Sequence, residues 1–402
     1  MAVVLLTGFA SGLPAALTAD TLQAWMTQRG VDLGRIGLFA AVALPYSLKF
    51  LWSPLMDRFV PPFLGRRRGW MLLTQTALAG GIAAMALLGG GGLWVLAATA
   101  LAVAFFSASQ DIVVDAYRTD LLAPHELGAG AGLAIAGYRV GFVCSGALAM
   151  NLADHMPWAW VYLLMAGAML ASVAVTLAAP EPAVNVRPPA TLREAVVQPL
   201  AEFLRRRGAG EMLLFILIYK LDWGMVQSMM TPFLVQTGFS LSVIGNVKQG
   251  LGMAAAIAGA SVGGAVIVRL GVRRALWIFG LAQGLAGLSF TALALVGLNY
   301  AMMTAAVITE NVCTGMATAA FAGFLMSLCD KRFTATQYAL LTGVMTLGTK
   351  QLAGVPSGWL AVQIGWAGYF LVATLIAAPS LLLLRRYRTW EGAVQDEPAW
   401  PP

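Results

Sequence analysis

Ten charged side chains lie inside stretches that are otherwise apolar: the bases Lys49, Arg139, Lys220, Lys248 and Lys350, and the acids Asp20, Asp111, Asp115, Asp222 and Glu310. A charge at the centre of a membrane-spanning helix costs about 2.5–3.5 kcal/mol on insertion scales, so such groups need a wet cavity or mutual pairing. The chemistry they suit is the holding of charged, hydrated solutes and the movement of protons. Covalent catalysis has little to work with. The two histidines, His125 and His155, fall near helix ends, leaving no nucleophile–base pair within an apolar stretch. Cys144, Cys313 and Cys329 stand singly and read as small packing residues, with no paired spacing for a metal. No phosphate-binding loop is present. The expectation is no catalytic residue, no cofactor and no metal.

Ser107, Asp111, Asp115 and Arg118 are spaced four, four and three apart, which puts them on one face of a helix. Gln110 adds an amide beside that stripe. Asp115, near the helix end, reads either as a partner of Arg118 or a loop arginine that holds a gate closed, or as a proton site. Asp111 lies deeper and is the stronger proton-coupling candidate, with Arg139 a natural counter-ion for either acid. Lys220 and Asp222 fall near opposite sides of a regular helix, so one of them is expected to pair with a neighbouring helix. Trp223 and Gln227 follow Lys220 at helical spacing and suit a sugar face and a hydroxyl, or simple packing. Glu310 with Asn311, and Lys350 with Gln351, stand mid-stretch in the same way.

The elements that must position these residues are set by composition. Of 402 residues, 59% are hydrophobic and 11% charged, against roughly 25% charged in a soluble globular chain. A spanning helix needs about 20 apolar residues, and twelve such stretches fit. Spans 1 to 6 cover residues 3–26, 34–56, 69–89, 93–115, 128–152 and 157–178; spans 7 to 12 cover 210–235, 241–268, 273–297, 299–327, 333–361 and 364–386. Pro14, Pro45, Pro232 and Pro356 predict kinks. The first stretch lacks a basic flank and a cleavage site, so it is read as a helix that stays. The reading is an all-α polytopic inner-membrane protein. It has a six-helix bundle over 1–179, a linker with a short amphipathic helix over 180–209, a second bundle over 210–388 and a tail over 389–402.

Lysine and arginine set the orientation. With the N-terminus inside, the inner loops hold 18 basic residues, among them Arg58, Arg66, Arg67, Arg68, Arg118, Arg205, Arg206, Arg207, Arg273 and Arg274, against Arg29 and Arg35 outside. Both termini are therefore expected to be cytoplasmic. The net charge of +7 is topological and calls for no nucleic acid. The halves also echo each other: Leu33, Ile36 and Gly37 recur as Leu241, Ile244 and Gly245, 208 residues on, each set opening the second span of its half. Six plus six spans with a long middle loop is the architecture of the major facilitator superfamily, whose substrate site lies between the halves near the midplane. The five bases fall on spans 2, 5, 7, 8 and 11, and spans 3, 6, 9 and 12 carry no charge apart from Arg273, Arg274, Arg385 and Arg386 at their ends, counted with the loops. That fits a fold in which those four spans face lipid.

Several motifs carry a narrower resemblance. Gly8-Phe-Ala-Ser-Gly-Leu-Pro14, Thr21-Leu-Gln-Ala-Trp25, Lys49-Phe-Leu-Trp-Ser-Pro54 and the loop Asp57-Arg58 to Pro61-Pro62-Phe63-Leu64-Gly65-Arg66-Arg67-Arg68-Gly69-Trp70 look like the AmpG anhydromuropeptide permeases. Ser107-Ala-Ser-Gln-Asp-Ile112 to Asp115-Ala116, Tyr219-Lys220, Glu310-Asn311 and Ala335-Thr336-Gln337 resemble the same family, from about residue 6 to about 385. The resemblance implies a carrier that brings N-acetylglucosaminyl-1,6-anhydro-N-acetylmuramic acid and its peptides from periplasm to cytoplasm with protons, for cell-wall recycling. The expected lining is Gln23, Tyr46, Lys49, Gln110, Arg139, Lys220, Trp223, Gln227, Asn311, Lys350 and Gln351. Asp111, Glu310 and Asp115 are the proton-coupling candidates, and Asp57, Arg58, Arg66, Arg67 and Arg68 are expected to form an inner gate with span 4 or span 11. The expected partners are substrate, protons and lipid, with the protein acting as a monomer. The competing readings are a carrier of another organic anion, a drug exporter, a membrane sensor that does not transport, and a membrane-embedded enzyme.

Overall fold

A computed structural model describes residues 1–53, 56, 59–122, 127–182, 198–206, 208–328 and 334–386. Among these residues the secondary structure is helical, and helices stand at all twelve expected places. Spans 3, 4, 6, 9 and 10 are continuous: Arg66–Leu88, Leu93–Leu121, Trp158–Ala178, Val272–Val296 and Tyr300–Ser327. The others are interrupted. Span 1 breaks between Ala2–Leu17 and Asp20–Gln28, and span 7 between Ala209–Ile218 and Leu221–Thr237. Span 2 is split by tight 3-10 turns at Phe39–Ala43 and Lys49–Leu51. Wide π-type turns sit inside span 5 at Cys144–Leu148, span 8 at Gly245–Leu251 and span 11 at Leu347–Gly354. Spans 11 and 12 part at Gly365, whose φ of 70° needs the glycine. A backbone so often interrupted would be costly against lipid alone; it is tolerated where neighbouring helices or water satisfy the freed groups.

Contacts divide the chain into two units. The first takes residues in Met1–Val31, Val42–Ala190 and Leu234–Gly250. Here span 1 lies against span 5, and the small residues of the Gly8–Pro14 motif let the backbones meet. A Cβ on Gly12 would stand 1.9 Å from the carbonyl oxygen of Tyr138. This is the close approach by which membrane helices gain packing without a hydrophobic driving force. Thr21 donates to the Ser145 carbonyl at 2.6 Å and Tyr162 to the Leu17 carbonyl at 2.9 Å, using oxygens freed by the breaks in spans 5 and 1. The opening of span 8 also belongs to this unit. Gly245 rests on Ala147, and Asp154 accepts from the backbone N–H groups of Leu241 and Ser242 at 3.3 and 2.7 Å.

The second unit takes residues in Asp32–Ala41, Thr191–Phe233 and Leu251–Pro402. The opening of span 2, Leu33–Leu38, packs on span 11, where a Cβ on Gly358 would reach within 1.8 Å of the Leu33 carbonyl oxygen. The echoed Leu-x-x-Ile-Gly sequences thus do the same job, one seated on span 11 and the other on span 5. The aromatic core of this unit joins Phe215, Tyr219, Phe321 and Phe324. The linker helix, Gln198–Arg205, is anchored by the buried Phe203. Arg206, just past it, donates to the Leu328 carbonyl at 2.5 Å and to Glu202 at 2.6 Å. Gln337, from the Ala-Thr-Gln motif, donates to the same Glu202.

Candidate functional site

Within the first unit, side chains from four spans gather on Asp111. Lys49, Asp115 and Ser11 stand around its carboxylate. Tyr46 lies beside Asp111, Ser107, Thr18 and Tyr138. Ser11 faces Asp111 and Ser107 faces Tyr46 in contacts too loose to be full hydrogen bonds, and neither amide atom of the buried Gln110 has a partner among the described residues. Buried polar groups are normally satisfied, and each one left unmet costs about 1–3 kcal/mol. A cluster of such loosely met groups beside a carboxylate and a lysine is a place built to exchange hydrogen bonds with water or a polar solute. The Gln23 carbonyl oxygen is unpartnered in the same way. Arg139 is partly buried along span 5. Asp115 is exposed and pairs with Arg118 at 3.1 Å, one turn along the same helix.

The second unit carries a different network. Lys220 donates to the Gln283 side-chain carbonyl and to the Thr318 hydroxyl, both at 2.8 Å, and its ammonium lies 5.8 Å over the ring of Trp223. Gln283 in turn donates to Asp222 at 2.7 Å. One amide on span 9 therefore links both charges. One of the two was expected to meet a neighbouring helix; both meet the same side chain there, span 7 being interrupted between Ile218 and Leu221. The Asp222 carboxylate is buried, with the backbone N–H groups of Trp223 and of Asp222 itself beside it. Gln227 lies against Glu310, with its amide 3.3 and 3.4 Å from the two oxygens, and Thr314 donates to Glu310 at 3.1 Å. Asn311 turns back to the Val307 carbonyl at 2.8 Å. Lys350 and Gln351 stand on the π-type turn of span 11, where the Gln351 amide lies 3.5 Å from the Ala40 carbonyl.

The expected gate is described in part. Asp57 and Arg58 lie outside the described residues. Arg66 opens span 3, Arg67 meets Asp120 at the end of span 4 at 2.6 Å, and Arg68 donates to the last carbonyls of span 6, Thr176 and Leu177. Glu181 accepts from the N–H groups of Arg67 and Arg68 at 2.8 and 3.0 Å, capping span 3. Asp120, Glu181, Gln283 and Thr318 escaped the sequence reading. Gln283 had one visible signal, a lone amide in a span whose charges lie only at its start. The motifs also meet one another: Trp52 donates to Ser109 at 3.0 Å, joining the Lys49–Pro54 and Ser107–Ile112 sequences.

Comparison with known proteins agrees with this architecture. Residues 4–350 match the family model for the Major Facilitator Superfamily. The anhydromuropeptide permease of Escherichia coli (strain K12) is 47% identical over 386 residues, spanning 95% of this chain and 78% of that protein. A putative transporter AmpG 4 of Rickettsia felis is 30% identical over 95% of this chain and 94% of its own length. Among solved structures, the POT family transporter PepTSo superposes with a TM-score of 0.75 at 11% identity, over 98% of both chains. A bacterial homolog of the human lysosomal transporter Spinster gives 0.74 at 14%, over 100% of this chain and 97% of that one. Likeness at such identity speaks for the fold alone. The chain is a multi-pass membrane protein of the Major Facilitator Superfamily, and within it belongs to the AmpG family of anhydromuropeptide permeases.

Proposed function

We propose that this protein imports anhydromuropeptides from periplasm to cytoplasm by proton symport, with both termini cytoplasmic and a single chain as the working unit. The observation that carries the reading is the 47% identity, over nearly the whole chain, to a permease for such molecules. The chemistry is compatible. An anhydrodisaccharide-peptide offers hydroxyls, acetamido groups and carboxylates. The loosely held hydroxyls around Asp111 and the Gln110 amide, with Lys49 beside them, can meet such groups. Arg139 and Lys350 are assigned to the substrate's anionic groups, and Trp223 to a sugar face. Asp111 is the leading proton site and Glu310 the next. Asp115 keeps its pairing with Arg118 and belongs with the Arg66–Arg68 gate.

The test is uptake of labelled N-acetylglucosaminyl-1,6-anhydro-N-acetylmuramic acid into vesicles, with and without an inward proton gradient. Gradient-dependent accumulation is expected, and Arg139→Ala and Lys350→Ala should raise the concentration needed for half-maximal uptake. Transport of an unrelated organic anion with none of the muropeptide would overturn the reading.

A further inference from the structure

The most tightly arranged charges in the first unit are not those around Asp111. Asp20 opens the second segment of span 1, directly after the break at residues 18–19. Its carboxylate is gripped on both oxygens: Lys248 donates to one at 2.6 Å and the Gln249 amide to the other at 2.7 Å. The pair is shielded, with side-chain exposures of 5% for Lys248 and 15% for Asp20. Asp20 thus stands among packed helices, largely out of water.

Lys248 and Gln249, adjacent on the π-type turn Gly245–Leu251, converge on the one carboxylate through their long side chains. Such insertions gather at functional sites. Span 5 makes room for the arrangement: a Cβ on Gly146 would lie 2.9 Å from the side chain of Gln249. Two further ties fix this end of span 8, the Asp154 cap on Leu241 and Ser242 and a bond of 2.9 Å from Asn151 to Asn246.

We propose that Lys248 and Gln249 form a carboxylate-binding fork for the substrate's carboxylate, and that Asp20 occupies it in this state as an internal stand-in. A cation and an amide donor, one per oxygen, are what a free carboxylate requires. Asp20 and a substrate carboxylate compete for the same two donors, so the fork is either closed on the protein or loaded with solute. Loading separates span 1 from span 8, which belong to different sequence halves. Re-closure by Asp20 expels the substrate carboxylate from the fork. Substrate charge and helix movement are thereby linked without a new contact elsewhere.

This rests on the muropeptide reading for its ligand, so the experiment has two arms. In the first, binding of 1,6-anhydro-N-acetylmuramic acid is compared with its neutral methyl ester. Lys248→Met should cost the acid about tenfold or more in affinity and leave the ester unchanged, as loss of a hydrogen bond to a charge implies. Asp20→Ala, or Asp20→Asn where the smaller residue folds poorly, should tighten the acid and not the ester. An unaltered acid-over-ester preference in Lys248→Met, or weaker acid binding in both Asp20 variants, overturns the proposal. In the second arm, labels at the exposed Arg29 and at Val243 report the separation of the end of span 1 from span 8. Lys248→Met should lengthen that distance without any ligand, and an unchanged distribution overturns the fork as a tie. Should the unaltered protein bind neither acid nor ester, the muropeptide reading fails while the second arm still decides the tie.

Discussion

At the scale of single residues, the two polar clusters differ in how fully they are satisfied. Around Asp111 the hydroxyls are loosely held and the Gln110 amide has no partner among the described residues, whereas Lys220 has two oxygen acceptors and an aromatic face. Proton coupling needs a carboxylate that can exchange partners between states, and a carboxylate held loosely by Ser11 beside a lysine has that freedom. Asp111→Asn mimics the protonated form; it should abolish gradient-driven accumulation in vesicles yet leave binding and exchange of substrate intact. If the variant still concentrates substrate in response to a pH gradient, coupling moves to Glu310. Gln283 is the opposite kind of residue, an amide whose carbonyl faces Lys220 and whose NH2 faces Asp222. Gln283→Leu leaves two buried charges without their shared partner, at about 1–3 kcal/mol for each unmet group. Its melting temperature in detergent should drop well below that of the unaltered protein. An unchanged melting point would mean that another group replaces the bridge.

At the scale of elements, the irregular helices explain what periodicity could and could not reveal. The twelve spans were legible because about 20 apolar residues are needed to cross a bilayer, whatever the neighbours do. The stripe Ser107–Asp111–Asp115 was legible because span 4 is regular from Leu93 to Leu121. The meeting of Lys220 and Asp222 at Gln283, and of Lys248 and Gln249 at Asp20, was hidden. Both fall at a break or a π-type turn that leaves no mark in a 3.6-residue pattern, and both rest on partners that are distant in sequence. Besides the breaks in spans 1 and 7, interior 3-10 or π-type turns fall in spans 2, 5, 8 and 11 among the described residues. Lys49, Lys248 and Lys350 sit directly on them. Glycine contacts make the packing itself testable. Gly358→Ala would drive a methyl into the Leu33 carbonyl, where backbone cannot yield cheaply, and overpacking of this sort costs about 1–3 kcal/mol. Gly264→Ala meets open space and should be neutral or slightly stabilising through helix propensity. Equal melting temperatures for the two variants would contradict this account of the span 2–span 11 contact.

At the scale of the whole molecule, the basic residues do two things at once. Eighteen lie in the loops assigned to the cytoplasm and two in those assigned to the outside, a bias that orients membrane proteins during insertion. Several of the same residues also finish helices: Arg68 on the closing carbonyls of span 6, Arg206 on the Leu328 carbonyl after span 10, and Arg386 on Glu211 at 2.8 Å. A cation at a helix C-terminus is favoured by the aligned peptide dipoles, so topology and local stability select the same residue type at the same places. Span parity then fixes every other loop once one end is assigned. Single cysteines should read this directly in a background with Cys144, Cys313 and Cys329 replaced by alanine. His155→Cys and Ser240→Cys should react with a membrane-impermeant thiol reagent applied to intact cells stripped of their outer membrane. Leu204→Cys, on an exposed position of the linker helix, should react only after the cells are opened. The reverse pattern would turn the protein over in the membrane and with it the direction of import; labelling of all three in intact cells would break the twelve-span count itself.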